Sequence, residues 1–292
     1  MKPIALLVLT NAGVMAVLAI IMRLFGLDQI IVQSGSSPLA FLAIACVYGF
    51  AGSFISLFMS KNLAKRQMRV QVIEQPRNAT EQWLYDTVRR QAERAGVAMP
   101  EVGIFNHPAP NAFATGANKN AALVAVSTGL LNHMSKNEVE AVLGHEMAHV
   151  YNGDMVTSTL IQGTMNTFVF VFANIISSLL AGRSRDRDGC SHQQSQFMIY
   201  MLLQTVLGVL ASLVVFWHSR HREYKADQGG ATLAGKQSMI GALQALQRVQ
   251  QQGAHGALAK DFQAFGIVPF AGLFATHPPL AKRIAALQAW NP

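Results

Sequence analysis

Four apolar stretches interrupt an otherwise mixed pattern: Ile4 to Leu24, Pro38 to Met59, Met155 to Ala181 and Phe197 to Trp217. Each is about as long as the roughly 20 residues a helix needs to cross a hydrocarbon core. They fall into two pairs, so the pattern predicts two membrane hairpins and four transmembrane segments. The first stretch reads as a retained anchor, because a second apolar run follows it instead of a small-residue cleavage site. The organisation expected is an N-terminal hairpin over 1–60, the first part of a soluble domain over 61–154, a second hairpin over 155–217 and the rest of the soluble domain over 218–292.

Within the soluble pieces the period changes. Thr80 to Ala95 alternates as an amphipathic helix, with Thr80 as a candidate cap and a stop near Gly96. Val102 to Phe105 and Ala121 to Ser127 are short, partly β-branched runs bounded by Pro, Asn and Gly, as strands are. Ser135 to Val150 opens with a Ser-x-x-Glu capping box, Ser135 and Glu138, and continues with Val139, Val142 and Leu143 at helical spacing. The fold class expected is an α-helical membrane protein carrying an α+β domain.

Composition supports the membrane reading. Hydrophobic residues make up 51% and charged residues 13% of the chain, against about a quarter charged in a typical soluble domain. The net charge of +8 asks for an anionic partner, and the placement of the charges says which. The connector Gly26 to Ser37 holds Asp28 and no Lys or Arg, whereas Lys61, Lys65, Arg66 and Arg69 follow the second run at once. The positive-inside rule therefore puts the chain from Lys61 onward in the cytoplasm, with a basic patch facing anionic lipid. A nucleic-acid partner is not expected, since no basic stripe is interleaved with aromatics. The tip Gly182 to Gln196 carries Arg183, Arg185 and Arg187 against the rule, interleaved with Asp186 and Asp188. It leaves open whether the second hairpin crosses fully or is partly embedded in protein. Cys46 and Cys190 make no disulfide framework and are expected as free thiols.

The candidate chemistry lies in HEMAH. His145 and His149 are one turn apart on the expected helix, so both imidazoles can meet one zinc ion from the same face. Glu146 is then angled towards a metal-bound water, where a general base belongs. The pentapeptide alone also occurs in helices without metal. After the fourth apolar run the chain reads WHSRHREYKAD, with Glu223 and Asp227 four apart and so on one helical face. One of them would complete a three-ligand site and the other would orient a histidine. A solvated helix end, with Arg220, Arg222 and Lys225 as neighbours, is the alternative. Two crossings between HEMAH and EYKAD would return both elements to the same side of the membrane.

NAFATG at Asn111 to Gly116, HEMAHVYNGD, EYKAD and THPPLAKRIAAL stand in this order between apolar hairpins. In these motifs nearly the whole chain resembles the integral-membrane zinc metalloproteases of the HtpX type, relatives of the Ste24 CAAX prenyl proteases. The resemblance implies a gluzincin-like catalytic domain and one zinc ion per chain, held by His145, His149 and Glu223. Glu146 would be the catalytic base and Asp227 a support of the metal site. Asn111, Ala112 and Phe113 would border the cleft as an edge strand that pairs with an extended polypeptide. His277 matches a histidine near the oxyanion in the relatives, and a helix start at Pro278 accounts for the same residues. Asn152 and Asp154 also fit the family pattern and are read first as helix termination. His107, His133, His192, His218, His221 and His255 have no partner at ligand spacing. The activity implied is endopeptidase action in a bacterial inner membrane, with a cytoplasmic catalytic domain and damaged membrane proteins or unfolded polypeptides as substrates. No covalent nucleophile is needed. CAAX processing would call for a larger helical chamber with more than four spans, and an idle scaffold would not need His145, Glu146, His149 and Glu223 intact.

Overall fold

Apolar runs free of internal proline become long helices in the computed structural model, which describes residues 2–24, 26–33, 37–183, 192–253 and 277–291. In chain order the elements are α1 (Lys2–Leu24), α2 (Leu27–Gln33), α3 (Pro38–Gln67), β1 (Gln71–Val72), α4 (Ala79–Ala95), β2 (Glu101–Phe105), β3 (Ala112–Thr115), β4 (Leu123–Ser127), α5 (Thr128–His133), α6 (Lys136–Asn152), α7 (Asp154–Arg183), α8 (His192–Ala234), α9 (Lys236–Gly253) and α10 (Leu280–Ala289). They divide into two compact units, Met1–Ser56 with Thr157–Val215, and Leu57–Val156 with Phe216–Pro292.

Among the described residues three helices are long and apolar enough to cross a membrane: Pro38–Gln67, Asp154–Ala181 and Gln194–Ala234. The first apolar run supplies only the shorter stretch Ala12–Leu24, so the expected four spans reduce to three candidates by this measure. Leu18 and Met22 of α1 pack with Leu42, Ala45 and Cys46 of α3 and Val171 and Ile175 of α7. Cys46 is a free, buried thiol. Arg185, Arg187 and Cys190 lie outside the described residues, as does His255.

The second unit is built on a four-stranded sheet of order β1-β2-β4-β3. β2 and β4 run parallel, with Val102 opposite Val124 and Ile104 opposite Val126, while β1 and β3 pair antiparallel at the two edges. β4 is buried along its whole length, as expected of a central strand covered on both faces. Leu84 and Val88 of α4, Val124 and Val126 of β4, Leu143 and Met147 of α6, Leu243 of α9 and Leu287 of α10 form one core. At the base of α3, Lys61 pairs with Glu101 at 2.7 Å and Lys65 pairs with the same carboxylate.

Local signals set most boundaries. α4 starts two residues earlier than Thr80 suggests, because Asn78 accepts from Glu81 N at 2.8 Å and Glu81 in turn accepts from Arg77 N at 2.8 Å. Gly96 ends it. α6 begins with the expected capping box of Ser135 and Glu138. It ends at Gly153, whose φ of 70° is a left-handed conformation open to glycine at little steric cost.

Candidate active site

α6 and the C-terminal part of α8 carry the candidate residues, and two glycines let these helices meet closely. A Cβ on Gly144 would lie 3.2 Å from Gly230 Cα, and one on Gly230 would lie 2.9 Å from His145 N. At this crossing His145, His149 and Glu223 each turn one ligand atom into a space where all three atoms lie within 4.8 Å of one another. His145 Nε2 is 3.5 Å and His149 Nε2 3.4 Å from the Glu223 carboxylate. Of the two downstream carboxylates left open by spacing, Glu223 therefore faces both histidines at once.

The other ring nitrogens are occupied. His145 Nδ1 lies 3.0 Å from Asp227 Oδ1, and His149 Nδ1 lies 2.6 Å from Asp154 Oδ2. An ionised carboxylate only accepts, so each Nδ1 is the donor, and each Nε2 offers a lone pair to a metal once the ring gives up its second proton on binding. Asp154, read from sequence as a helix end, is thus the orienting partner of His149. The turn at Gly153 closes α6 and leaves Asp154 as the first residue of α7, close to the histidine one turn back. Arg222 fixes the same residue by donating to its backbone carbonyl at 2.8 Å.

Arg283 of α10 is the member that sequence reasoning missed. It is buried and donates from Nε and Nη2 to the two oxygens of Asp227, at 2.8 and 2.6 Å. Its Nη1 lies 3.3 Å from Glu223 Oε2. That oxygen is sealed from solvent with His277 Nδ1 at 2.7 Å, yet none of its neighbours makes a well-aligned hydrogen bond to it. Two imidazole lone pairs and one such buried carboxylate oxygen form a donor set suited to a divalent metal with an open fourth position. Glu146 sits half-buried between the histidines on α6, and its charge is felt by His149.

The electrostatics of these side chains follow from this crowding. Burial opposes a charge on His149, but its hydrogen bonds to Asp154 and Glu223 outweigh that and raise its pKa from 6.5 to about 10. His145 is also buried, and Asp227 and Glu223 raise its pKa likewise. A proton that His149 keeps to about pH 10 when folded, against 6.5 when unfolded, stabilises the fold fully below 6.5 and progressively less as pH rises through 10. Metal-stripped protein should accordingly melt at lower temperature as pH is raised from 6.5 towards 10. Thermal denaturation in detergent after chelation measures this, and a flat or rising melting temperature would contradict the pairing.

The remaining expected residues are placed as follows. Asn111 precedes β3, its N–H donating to Ser127 Oγ at 2.9 Å, and Ala112 and Phe113 open β3 at the sheet edge. Phe113 packs on Phe105 with ring centroids 5.5 Å apart. His277 touches Glu223, while α10 starts three residues later with Pro279 as its cap residue.

Residues 78–291 match Peptidase family M48. Protease HtpX of Thioalkalivibrio sulfidiphilus (strain HL-EbGR7) is 51% identical over 296 residues, covering 99% of this chain and 99% of the relative. Protease HtpX of Hydrogenovibrio crunogenus (strain DSM 25203 / XCL-2) is 52% identical over 294 residues, covering 99% of this chain and 97% of the relative. Among solved structures, S. mikatae Ste24p superposes with a TM-score of 0.64 over 97% of this chain and 67% of that one. At 19% identity this is a likeness of fold.

Proposed function

The chain belongs to peptidase family M48 and is a membrane metalloprotease; from that premise we propose a zinc-dependent endopeptidase that works at the cytoplasmic face of a bacterial inner membrane. The observation that carries this reading is the convergence of His145, His149 and Glu223 beside Glu146, each histidine held by its own carboxylate. Bound zinc would supply a Lewis acid that polarises a peptide carbonyl and makes water acidic enough to lose a proton near neutral pH. Glu146 takes that proton and passes it to the leaving amine as the peptide bond breaks. Asp227 and Asp154 hold the two imidazoles in the tautomer that leaves Nε2 free. Arg283 keeps Asp227 ionised and in place.

Asn111, Ala112 and Phe113 would line up an extended substrate, since β3 is an edge of the sheet among the described residues. His277, largely exposed beside Glu223, is suited to donate to the developing oxyanion. We assign four spans, with the first apolar run as the fourth, the unit Leu57–Val156 with Phe216–Pro292 as catalytic, and damaged or unfolded membrane proteins as substrates. Basic residues directly after α3's apolar run favour a cytoplasmic catalytic unit.

Glu223→Ala tests the ligand set. Zinc affinity should fall by more than the roughly 10- to 100-fold that loss of an outer partner costs, read as zinc per chain by mass spectrometry after dialysis. Wild-type zinc content in this variant would remove Glu223 from the set.

A further inference from the structure

The membrane unit contains a cavity that the metal chemistry does not use. Its volume is about 860 Å³, and Ala43, Val47, Tyr48 and Gly52 of α3, Asn166 of α7 and Gln204 of α8 line it. Tyr48, Asn166 and Gln204 each lie close to the middle of an apolar run. Polar side chains at that depth are costly and seldom idle. Asn166 is engaged, donating to Gly49 O at 3.3 Å and Ser53 Oγ at 3.4 Å and accepting from Gln162 at 2.9 Å. Tyr48 is packed against Phe170, with ring centroids 4.7 Å apart. Gln204 differs: its Oε1 is shielded from solvent and has no hydrogen-bond partner among the described residues. Beside it, nothing lies within 4 Å of the place a Cβ on Gly52 would take, so another backbone can approach α3 there.

We propose that this cavity captures a membrane-spanning segment of the substrate that carries an unpaired polar side chain, whose hydrogen bond Gln204 Oε1 accepts. A lipid chain has no donor and would leave the amide oxygen as it is. The backbone N–H groups of a spanning helix are already used within that helix, so the donor has to be a side chain, such as that of Ser, Thr, Asn or Gln. In an assembled membrane protein such a group is matched by a neighbouring helix. On an orphaned or misassembled subunit it faces lipid. Ile44 and Val47 of α3, on the cavity wall itself, leave an apolar face exposed for the rest of the span. The cavity thereby selects by what the substrate's own assembly has failed to cover. That captured chains are then cut rests on the peptidase reading above; capture itself does not.

The test uses full-length Glu146→Gln protein in proteoliposomes, with a photoreactive amino acid in place of Ala43. The probes are a single-span polypeptide with Asn at mid-span and its twin with Leu. The Asn probe should crosslink roughly three- to tenfold more than the Leu twin, and adding Gln204→Leu should bring the ratio to about one. Gly52→Leu, which fills the open side, should lower the yield of the Asn probe as well. Equal yields from the twins, a ratio untouched by Gln204→Leu, or phospholipid crosslinks undiminished by the Asn probe would overturn the proposal. Cleavage of a soluble unfolded polypeptide by the unmutated protein reports separately on the peptidase reading, so the two fail independently.

Discussion

Glu146→Gln is expected to slow cleavage of an unfolded polypeptide by about 10²- to 10⁴-fold, the range that a positioned acid–base group contributes, with metal content unchanged. Glutamine keeps the size of the side chain and one carbonyl oxygen, but it cannot take up the proton. Glu146 is not among the three residues whose ligand atoms converge, so its exchange leaves the donor set intact. It lies on the same helical turn as both histidines, half-buried, where its charge reaches His149 and Arg283. Initial rates from newly formed amino termini, alongside zinc per chain, separate the two roles. Undiminished rates would remove Glu146 as the base, and loss of zinc would make it a ligand.

Arg283→Met should destabilise the unit that holds it by about 3–5 kcal/mol, as removal of one partner from a buried ion pair does. The guanidinium is buried and forks onto both Asp227 oxygens, with Glu223 3.3 Å away. Without it the Asp227 carboxylate loses both of its guanidinium bonds in a low-dielectric site. Lysine cannot replace the fork, because a single ammonium meets only one point of the planar carboxylate. Adding Asp227→Asn to Arg283→Met should restore part of the loss, since one uncompensated charge goes with the other. Urea unfolding in detergent measures all three. A loss below about 1 kcal/mol would give Arg283 the worth of a surface pair.

Much of this site is legible in the sequence because its signals are local. HEMAH, the capping box of Ser135 and Glu138, and the four-residue step from Glu223 to Asp227 are each contained within a turn or two of helix. What escapes local reading is whatever a distant element decides. Arg283 sits in LAKRIAAL as an ordinary polar position of an amphipathic helix, and only the packing of α10 reveals its partner on α8. Asp154 looks like the end of α6, but becomes a histidine's partner once Gly153 turns the chain. β1 is two residues long and exists because β2 offers it an edge. The α4 cap falls at Asn78 and not at the expected Thr80, because Glu81 reaches back to Arg77 N from there. Apolar length alone also marked α8 as a membrane span, while its continuation beyond that run carries Glu223 and Asp227 into the other unit without a break in the helix.

The crossing of Gly144 and Gly230 gives the candidate metal site a mechanical property. Helices normally meet through interdigitating side chains, a layer that yields when a rotamer changes. Here main chain rests against main chain, so the gap between His145 and Glu223 is gauged by parts that do not flex. A methyl group on Gly230 would begin 2.9 Å from His145 N and would have to wedge the helices apart. A few tenths of an ångström is already the whole tolerance of a metal–ligand bond, about ±0.2 Å. Two residues without side chains thus act as the datum surface from which the ligand set is machined.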